Sequence, residues 1–342
     1  MDRGCGMLVI LLAVALSIGC GRETTEQATQ GPTSIHVEPQ PLPLVGMVSE
    51  PQAEISSMFW VGDRLVMVPQ HPERFVAGRD TLMLFVLDRA DIEASIDQRR
   101  QEPLAPRPGL LVAPRLLDSV PGWDGIEAAA ALDDTVFFAI EASVDGVMAG
   151  YLVRGIVDPE SEPLVLTLDR DRIAPIPVST QLANMTQEAL VLAPGRVAVI
   201  FEANGVRVNP GAHVAVYDHS LDYRGTVPMD NLEFRITDAC RSLRDSVFWV
   251  INYFFPGEGH LLKPEPHRTT PVERLIQLRF NGQRIVRTAC PSLDLRGDSV
   301  LAPRNWEAIV PLSDRGFLIM TDTYPATLLA FVPLPDHLET SP

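Results

Sequence analysis

The sequence predicts an all-β protein built from radially repeated units, and three observations lead to this class. Similar segments recur five times along the 342 residues. Each segment contains three short apolar runs joined by turns, which is typical of antiparallel strands. Long helical patterns are scarce. Repetition of a mostly β unit predicts a β-propeller of five blades, each with four antiparallel strands.

The clearest unit is Asn305–Pro333. Its first strand is expected at Ala308–Leu312, followed by a turn at 313–316. A second strand follows at Phe317–Thr321, and a third at Thr327–Val332. Gly316 ends the turn between two apolar runs, as a hairpin requires.

Four further copies begin at Ala53, Gly122, Asn184 and Asn231. Their third strands are expected at Thr81–Leu87, Ala149–Val157, Ala212–Tyr217 and Glu273–Phe280. The second strands of the five copies are apolar on both faces: Leu65–Val68, Val136–Ile140, Val197–Phe201, Val247–Ile251 and Phe317–Thr321. Such strands must be covered on both sides, as they are between stacked blades.

A fourth, outer strand completes each blade. The first four copies supply it at Leu110–Leu117, Leu164–Leu168, Arg224–Pro228 and Gln283–Thr288. The fifth copy has no apolar run after Pro333, so we expect Leu44–Val48 to close the ring. A helix is expected at Asp91–Arg100, between two strands of the first blade. The repeats leave open whether the ring contains a sixth blade.

The N-terminus predicts a processing signal rather than part of the fold. An apolar run, Met7–Ile18, ends two residues before Cys20 and is short for a membrane span. Residues 1–19 resemble a bacterial lipoprotein signal, in which Cys20 becomes the lipidated first residue. An ordinary secretory signal is the alternative. Gly21 after the cysteine resembles lipoproteins of an outer membrane, so we expect an extracytoplasmic protein anchored there and facing the periplasm.

Residues 20–44 are rich in Thr, Gln, Glu and Pro and predict a disordered tether. The propeller is then expected at 45–338. The formal net charge of −16 argues against nucleic acid as a partner, and we expect a monomer. Outside the cytoplasm Cys240 and Cys290 could form a disulfide, although a regular blade would place them at opposite ends.

The sequence contains none of the common hydrolase, nucleotide-binding or zinc-binding motifs. Instead, a polar residue ends each second strand: Gln70, Glu141, Glu202, Asn252 and Asp322. A second set opens the first strands: Glu54, Asp124, Glu188 and Glu307, with Glu233 or Arg235 in the fourth copy. Because equivalent positions in radial repeats are related by rotation, both sets could form rings at one channel mouth. Oxygen ligands there suit calcium, whereas solvated strand ends are the alternative.

These repeats resemble the phytase-like β-propellers, including the family described as esterase-like activity of phytase. The residues that carry the resemblance are 305–309 with Thr321-Asp322, 122–126 with Ile140-Glu141, and 184–189 with Phe201-Glu202. The resemblance covers residues 50 to 335 and implies bound calcium and phosphoester hydrolysis. The acidic run followed by Pro-Ala that phytases carry near the first blade is absent.

Two functions follow from this reading. One is a lipid-anchored propeller that binds a ligand or protein partner at an acidic channel mouth. The alternative is a calcium-dependent phosphoesterase or esterase, in which the acidic rings hold the metal and a metal-bound water attacks the substrate.

Overall fold

A computed structural model describes Met1, Ser34–Phe75, Gly78, Asp80–Arg241, Ser246–Arg296, Pro303–Thr323, Ala326–Pro335 and Leu338. The chain separates into two units, Met1–Gly31 and Pro32–Pro342, and the second contains all the described strands and helices. The expected signal peptide and Cys20 lie outside the described residues. Within the described part of the chain, no helix is long and apolar enough to cross a membrane.

The described strands group into five blades. Two short strands come first, β1 (Ser34–His36) and β2 (Gln40–Leu42), and 3-10 helices follow at Met47–Ser49 and Pro51–Ala53. The first blade contains β3 (Ile55–Val61), β4 (Arg64–Pro69), a 3-10 helix (Pro72–Arg74), β5 (Thr81–Asp88), α1 (Arg89–Ile96) and β6 (Arg107–Val112). After α2 (Leu116–Ser119), the second contains β7 (Trp123–Leu132), β8 (Thr135–Val144), β9 (Val147–Asp158) and β10 (Val165–Ile176).

The third blade contains β11 (Gln187–Ala193), β12 (Arg196–Phe201), β13 (His213–Tyr217) and β14 (Tyr223–Pro228). The fourth contains β15 (Arg235–Arg241), β16 (Val247–Phe254), a 3-10 helix (Pro256–Glu258), α3 (Gly259–Leu262), β17 (Val272–Phe280), β18 (Ile285–Arg287) and β19 (Ser292–Asp294). The fifth contains β20 (Trp306–Leu312), β21 (Gly316–Thr321) and β22 (Leu329–Pro333). The predicted helix exists, but α1 begins and ends earlier than Asp91–Arg100.

The first three strands of every blade form an antiparallel meander. The outer strands β6 and β10 pair in parallel, which joins the first two blades into one eight-stranded sheet. The innermost strands β3, β7, β11, β15 and β20 contact one another in this order, and β20 contacts β3 again. This closed circuit confirms the β-propeller predicted from the repeats, and the described residues form five blades.

Five separate apolar cores lie between neighbouring blades. Phe138 packs between the first and second blades, Tyr217 between the second and third, and Val250 between the third and fourth. Trp306 packs between the fourth and fifth blades, and Met67 between the fifth and first. The second strands contribute to the cores on both of their faces, which explains why they are apolar throughout. This feature was correctly predicted.

The N-terminal segment completes the outer edge of the ring. Strand β2 pairs antiparallel with β22, so the outer strand of the fifth blade is Gln40–Leu42. The predicted Leu44–Val48 is wrong, because Leu44 only bridges Leu104 and residues 47–49 are helical. Strand β1 pairs in parallel with β19 of the fourth blade. Part of the range predicted as a tether is therefore folded, and residues 20–33 lie outside the described residues.

Glu273 of β17 ties the fourth blade to the fifth. Its side chain is completely buried. It accepts hydrogen bonds from Arg296 Nη1 at 2.9 Å, Arg304 Nε at 3.2 Å and Trp306 Nε1 at 2.9 Å. Two guanidinium groups and an indole N–H thus share one carboxylate, so this buried charge is paired and hydrogen-bonded.

Cys240 and Cys290 are free thiols. Cys240 on β15 pairs with Trp249 on β16, and Trp249 pairs with Gln277 on β17. The Gln277 backbone then accepts a hydrogen bond from the Thr288 N–H, two residues before Cys290. The cysteines therefore lie at similar heights with two strands between them, roughly 10 Å or more apart. A disulfide requires Cα atoms within about 7 Å, so the suggested bridge is absent from this fold, although not for the expected reason.

Candidate functional site

Every inner strand contains a β-bulge at the same position. The second blade has a separate register shift at Asp124. In all five blades the register against the second strand shifts at one equivalent position, near the end of the second strand. The residues left unpaired by these shifts are Ser56, Glu127, Glu188, Thr237 and Glu307. A bulge redirects the side chain of its unpaired residue. One such residue per blade forms a ring at one end of the central channel, which is the space enclosed by the five inner strands.

Blades 1 and 4 carry hydroxyl residues at the bulge and use them to join the next blade. Ser56 Oγ donates to the carbonyl of Ile126 at 2.6 Å. Thr237 Oγ1 donates to the carbonyl of Trp306 at the same distance. The two contacts are equivalent under the rotation of the repeats, and both are buried. These two ring positions are structural.

Blades 2, 3 and 5 carry glutamates at the bulge. Glu127, Glu188 and Glu307 are only 4%, 6% and 8% exposed. Glu188 and Glu307 both accept from Nη2 of Arg235, at 3.4 and 3.3 Å. Glu127 instead accepts from Gln70 Nε2 at 2.8 Å. Three buried carboxylates thus converge from three different blades.

Arg235 of the fourth blade is the cation at the centre of this arrangement. Its Nε contacts Glu202, and its Nη1 lies 3.2 Å from Glu258. The guanidinium carbon lies 5.6 Å from the ring centre of Tyr253. Burial lowers the pKa of Arg235, but the carboxylates around it, Glu202 foremost, outweigh burial and raise that pKa well above its usual value. Arg235 is therefore a permanent positive charge among the carboxylates.

The carboxylates outnumber this one guanidinium. Burial, helped by neighbouring carboxylates and opposed by Arg235, raises the pKa of Glu307 to about 8 and that of Glu141 to about 7. Burial followed by repulsion from Glu141 raises the pKa of Glu127 well above its ordinary value. Burial followed by repulsion from Glu202 likewise raises the pKa of Glu188 well above its ordinary value. Carboxylates this close ionise together only if a cation compensates them.

Several oxygen atoms of the cluster have no donor among the described residues. They are Glu188 Oε2, Glu202 Oε2, Glu258 Oε2 and Asn305 Oδ1. Glu202 is fully buried. Burial raises the pKa of Glu202, and the Arg235 charge and a hydrogen bond from Glu188 lower it only in part. The cluster therefore has unused acceptors, which a proton or an added donor group can satisfy.

Most of the residues predicted at the ends of the second strands occupy the same position in their respective blades. Glu141 Oε2 accepts from Thr186 Oγ1 at 2.8 Å. Asp322 Oδ2 accepts from Asn305 Nδ2 at 3.2 Å. Together with Gln70 and Glu202, these residues lie one position after the strand residue that faces the bulge. Four of the five predicted residues thus occupy equivalent positions near the acidic cluster.

Asn252 is a correction to that set, because Tyr253 occupies the equivalent position in the fourth blade. Asn252 is completely buried and donates to the carbonyls of Glu233 and Arg235, at 2.8 and 2.9 Å. Its Oδ1 accepts from Arg274 Nε at 2.8 Å. Its amide is used within its own blade, so it is not a ring residue.

The residues predicted at the openings of the first strands fall into two groups, one inside the acidic cluster and one outside it. Glu188 and Glu307 lie in the cluster, and Arg235 is its cation. Glu54 instead forms an ion pair with Arg74, and its Oε2 lies 3.5 Å from His71 Nε2. Asp124 is half-buried and acts on Glu141 through its charge, but it precedes the bulge position.

Two further residues complete this comparison. Glu233 binds loop N–H groups, of Val206 at 3.0 Å and Glu265 at 3.2 Å. Glu127 was missed by the sequence reasoning. The dipeptide Glu-Ala occurs at 127–128, 188–189 and 307–308, but it also occurs at 93–94, 141–142 and 202–203, so it does not by itself mark the bulge.

Among the described residues, no three His, Cys, Asp or Glu side chains are arranged to hold a metal ion. Calcium binding therefore stays a prediction. The opposite end of the channel has a different character. A cavity of about 170 Å³ there is lined by residues of all five inner strands, including Trp60 and Pro311. The acidic groups thus concentrate at one end of the channel.

The fold and the closed ring of inner strands define a β-propeller protein. The chain is similar in structure to the GH43_1 enzyme from Xanthomonas citri complexed with xylose, with a TM-score of 0.50 and 12% identity, over 89% of this chain and 92% of that one. The soluble aldose sugar dehydrogenase from Escherichia coli gives a TM-score of 0.44 and 9% identity, over 87% and 100%. No protein-family model and no curated protein matches the sequence. These likenesses concern the fold, and the phytase-like family stays a resemblance.

Proposed function

We propose that this protein is a ligand-binding β-propeller whose acidic channel end binds a cation. The observation that carries the proposal is the set of buried carboxylate oxygens without donors around a single guanidinium. Five buried glutamates lie there: Glu127, Glu141, Glu188, Glu202 and Glu307. A bound cation would lower the repulsion among them and would allow more of them to ionise.

Calcium is the metal candidate, since it prefers carboxylate and carbonyl oxygens. A ligand that binds only the folded state stabilises it by about 2.7 kcal/mol at a hundredfold excess over its dissociation constant. Millimolar calcium should therefore raise the melting temperature. Glu202→Gln combined with Asp322→Asn should weaken this response without making the metal-free protein less stable.

The matched control is Glu160→Gln, because Glu160 is exposed in a turn between β9 and β10. It should leave the calcium response unchanged. Identical melting curves with calcium and with a chelator would remove the metal from the proposal.

The anchoring of the protein is a separate part of the proposal. The apolar run before Cys20 supports a lipidated cysteine and attachment to an outer membrane, facing the periplasm. Cys20→Ser should move the protein from the membrane fraction to the soluble fraction of fractionated cells. If the variant still partitions with membranes as the wild type does, the anchor assignment is wrong.

A calcium-dependent phosphoesterase or esterase is the second candidate. The pKa values of about 7 for Glu141 and about 8 for Glu307 favour it. Carboxyl groups that titrate near neutral pH can both donate and accept protons, as general acid–base catalysis requires. Hydrolysis of p-nitrophenyl phosphate or p-nitrophenyl acetate that requires calcium and is lost in Glu141→Gln would support an enzyme. No turnover above that of Glu141→Gln would leave the binding function.

A further inference from the structure

We infer that the acidic channel end prefers a primary alkylammonium group, as in a linear amine or polyamine, to a metal ion. This inference rests on the proposed cation binding and names its chemical class. It concerns the site formed by Glu188, Glu202 and Glu258 around Arg235, which we call the ammonium site.

The first argument is that every unpartnered atom at this site is an acceptor. The atoms are Glu188 Oε2, Glu202 Oε2, Glu258 Oε2 and Asn305 Oδ1, so a ligand must bring the donors. They come from blades 3, 4 and 5. An ammonium group offers three N–H donors that can point in different directions. An ammonium can therefore donate to acceptors that come from different blades.

The second argument concerns the metal alternative. Calcium takes six to eight oxygen ligands at about 2.3–2.6 Å. In the part of the chain that the structure describes, no three acidic side chains come together in such a shell. The four unpartnered oxygen atoms are fewer than a calcium shell requires, whereas they suffice for the three N–H groups of an ammonium, which bind acceptors at about 2.7–3.2 Å.

The third argument is that the site already accommodates a nitrogen cation. Arg235 directs its N–H groups at Glu188, Glu202, Glu258 and Glu307. These contacts use Oε1 of each carboxylate, and the second oxygens of the first three are the unpartnered ones. Three carboxylates that bind Arg235 thus each keep a second oxygen for a further N–H donor.

The fourth argument comes from burial. Glu202 is completely buried and the Glu188 side chain is 8% exposed, whereas the Glu258 side chain is 26% exposed. Burial of this degree leaves little room beside the inner pair, and an ammonium at the end of an unbranched chain is narrow. Ionised carboxylates can compensate the loss of its hydration. The ammonium would replace the proton that Glu188 otherwise shares with Glu202, so binding should release a proton.

Titration calorimetry on the wild-type protein tests this class with four probes: spermidine, butylammonium, tetramethylammonium and calcium chloride. Spermidine and butylammonium should bind, and heats measured in two buffers should reveal proton release. Tetramethylammonium has the same charge as butylammonium but no N–H donor, and it should bind at least tenfold more weakly than butylammonium. Comparing ligands on one protein keeps the test independent of how any variant folds.

Substitution then locates the site. Glu188→Gln and Glu202→Gln should each weaken butylammonium binding at least tenfold. The substitution removes a negative charge, and the new amide N–H groups can bind a neighbouring carboxylate oxygen that the ammonium would otherwise use. Glu160→Gln should bind as the wild type does. Equal binding of butylammonium by all three variants would place the amine elsewhere and overturn the assignment.

The outcomes separate the two proposals. Calcium binding without amine binding would overturn the ammonium site and leave cation binding in place. Amine binding without calcium binding would support the ammonium site and remove calcium. Equal binding of tetramethylammonium and butylammonium would show that charge alone suffices, which would overturn the role of N–H donors. Binding of none of the four probes would overturn both proposals.

Discussion

Raising the pH from 5 to 8 should destabilise this protein, opposite to what salt-bridged carboxylates would cause. Glu141 has a pKa of about 7 and Glu307 one of about 8 in the folded state, against 4.5 for an ordinary glutamate. The folded protein therefore binds more protons than the unfolded chain between pH 4.5 and these values. By linkage, stability is fully present below pH 4.5 and is lost as the pH rises through 7 to 8.

The magnitude follows from the same pKa values. A tenfold change in proton affinity corresponds to about 1.4 kcal/mol. For Glu141 alone, a pKa of about 7 implies a loss of roughly 3 kcal/mol in the free energy of unfolding. Glu307 adds to this loss, though not independently, because both belong to one cluster. A typical domain has only about 5–15 kcal/mol of stability, so the effect should be large enough to measure.

Urea denaturation at pH 5, 6, 7 and 8 measures this directly, through the midpoint at constant slope. The decisive comparison is with Glu141→Gln and Glu307→Gln together. This double variant should show a flatter dependence on pH than the wild type, whereas Glu160→Gln should not differ from it. A wild-type stability that is constant or rises between pH 5 and 8 would refute the reasoning.

Three further predictions concern stability. Glu273→Ala should cost about 3–5 kcal/mol in urea denaturation, because Arg296, Arg304 and the Trp306 indole lose the buried carboxylate that they share; a cost below about 1 kcal/mol would contradict this. Arg235→Met should lower the melting temperature more at pH 8 than at pH 5, since more carboxylates are then ionised. Gly316→Ala should destabilise strongly, because φ is +145° and an added Cβ would lie 2.1 Å from the Val332 carbonyl. Gly146→Ala is the control, since φ is also positive but the space is open.

The fold was largely predictable because each second strand is apolar on both faces, and only packing between blades satisfies such a strand. The site was harder to predict, because bulges set the register of the side chains. In the fourth blade the polar residue that ends the apolar run is Asn252, yet Tyr253 holds the ring position. In the second blade a further register shift at Asp124 makes Glu127 the bulge residue. Hydrophobic periodicity does not record such one-residue shifts.

Closure of the ring by β2 makes one blade different from the others. Its outer strand pairs through three residues, Gln40, Pro41 and Leu42, and Pro41 has no N–H to donate. The partner strand comes from the other end of the chain, so no loop holds this pair together. Local unfolding begins where few hydrogen bonds resist it. Amide exchange should therefore be faster at Leu42 and Phe331 than at Val199 in a central strand. Local opening of the ring is expected to start where β2 pairs with β22.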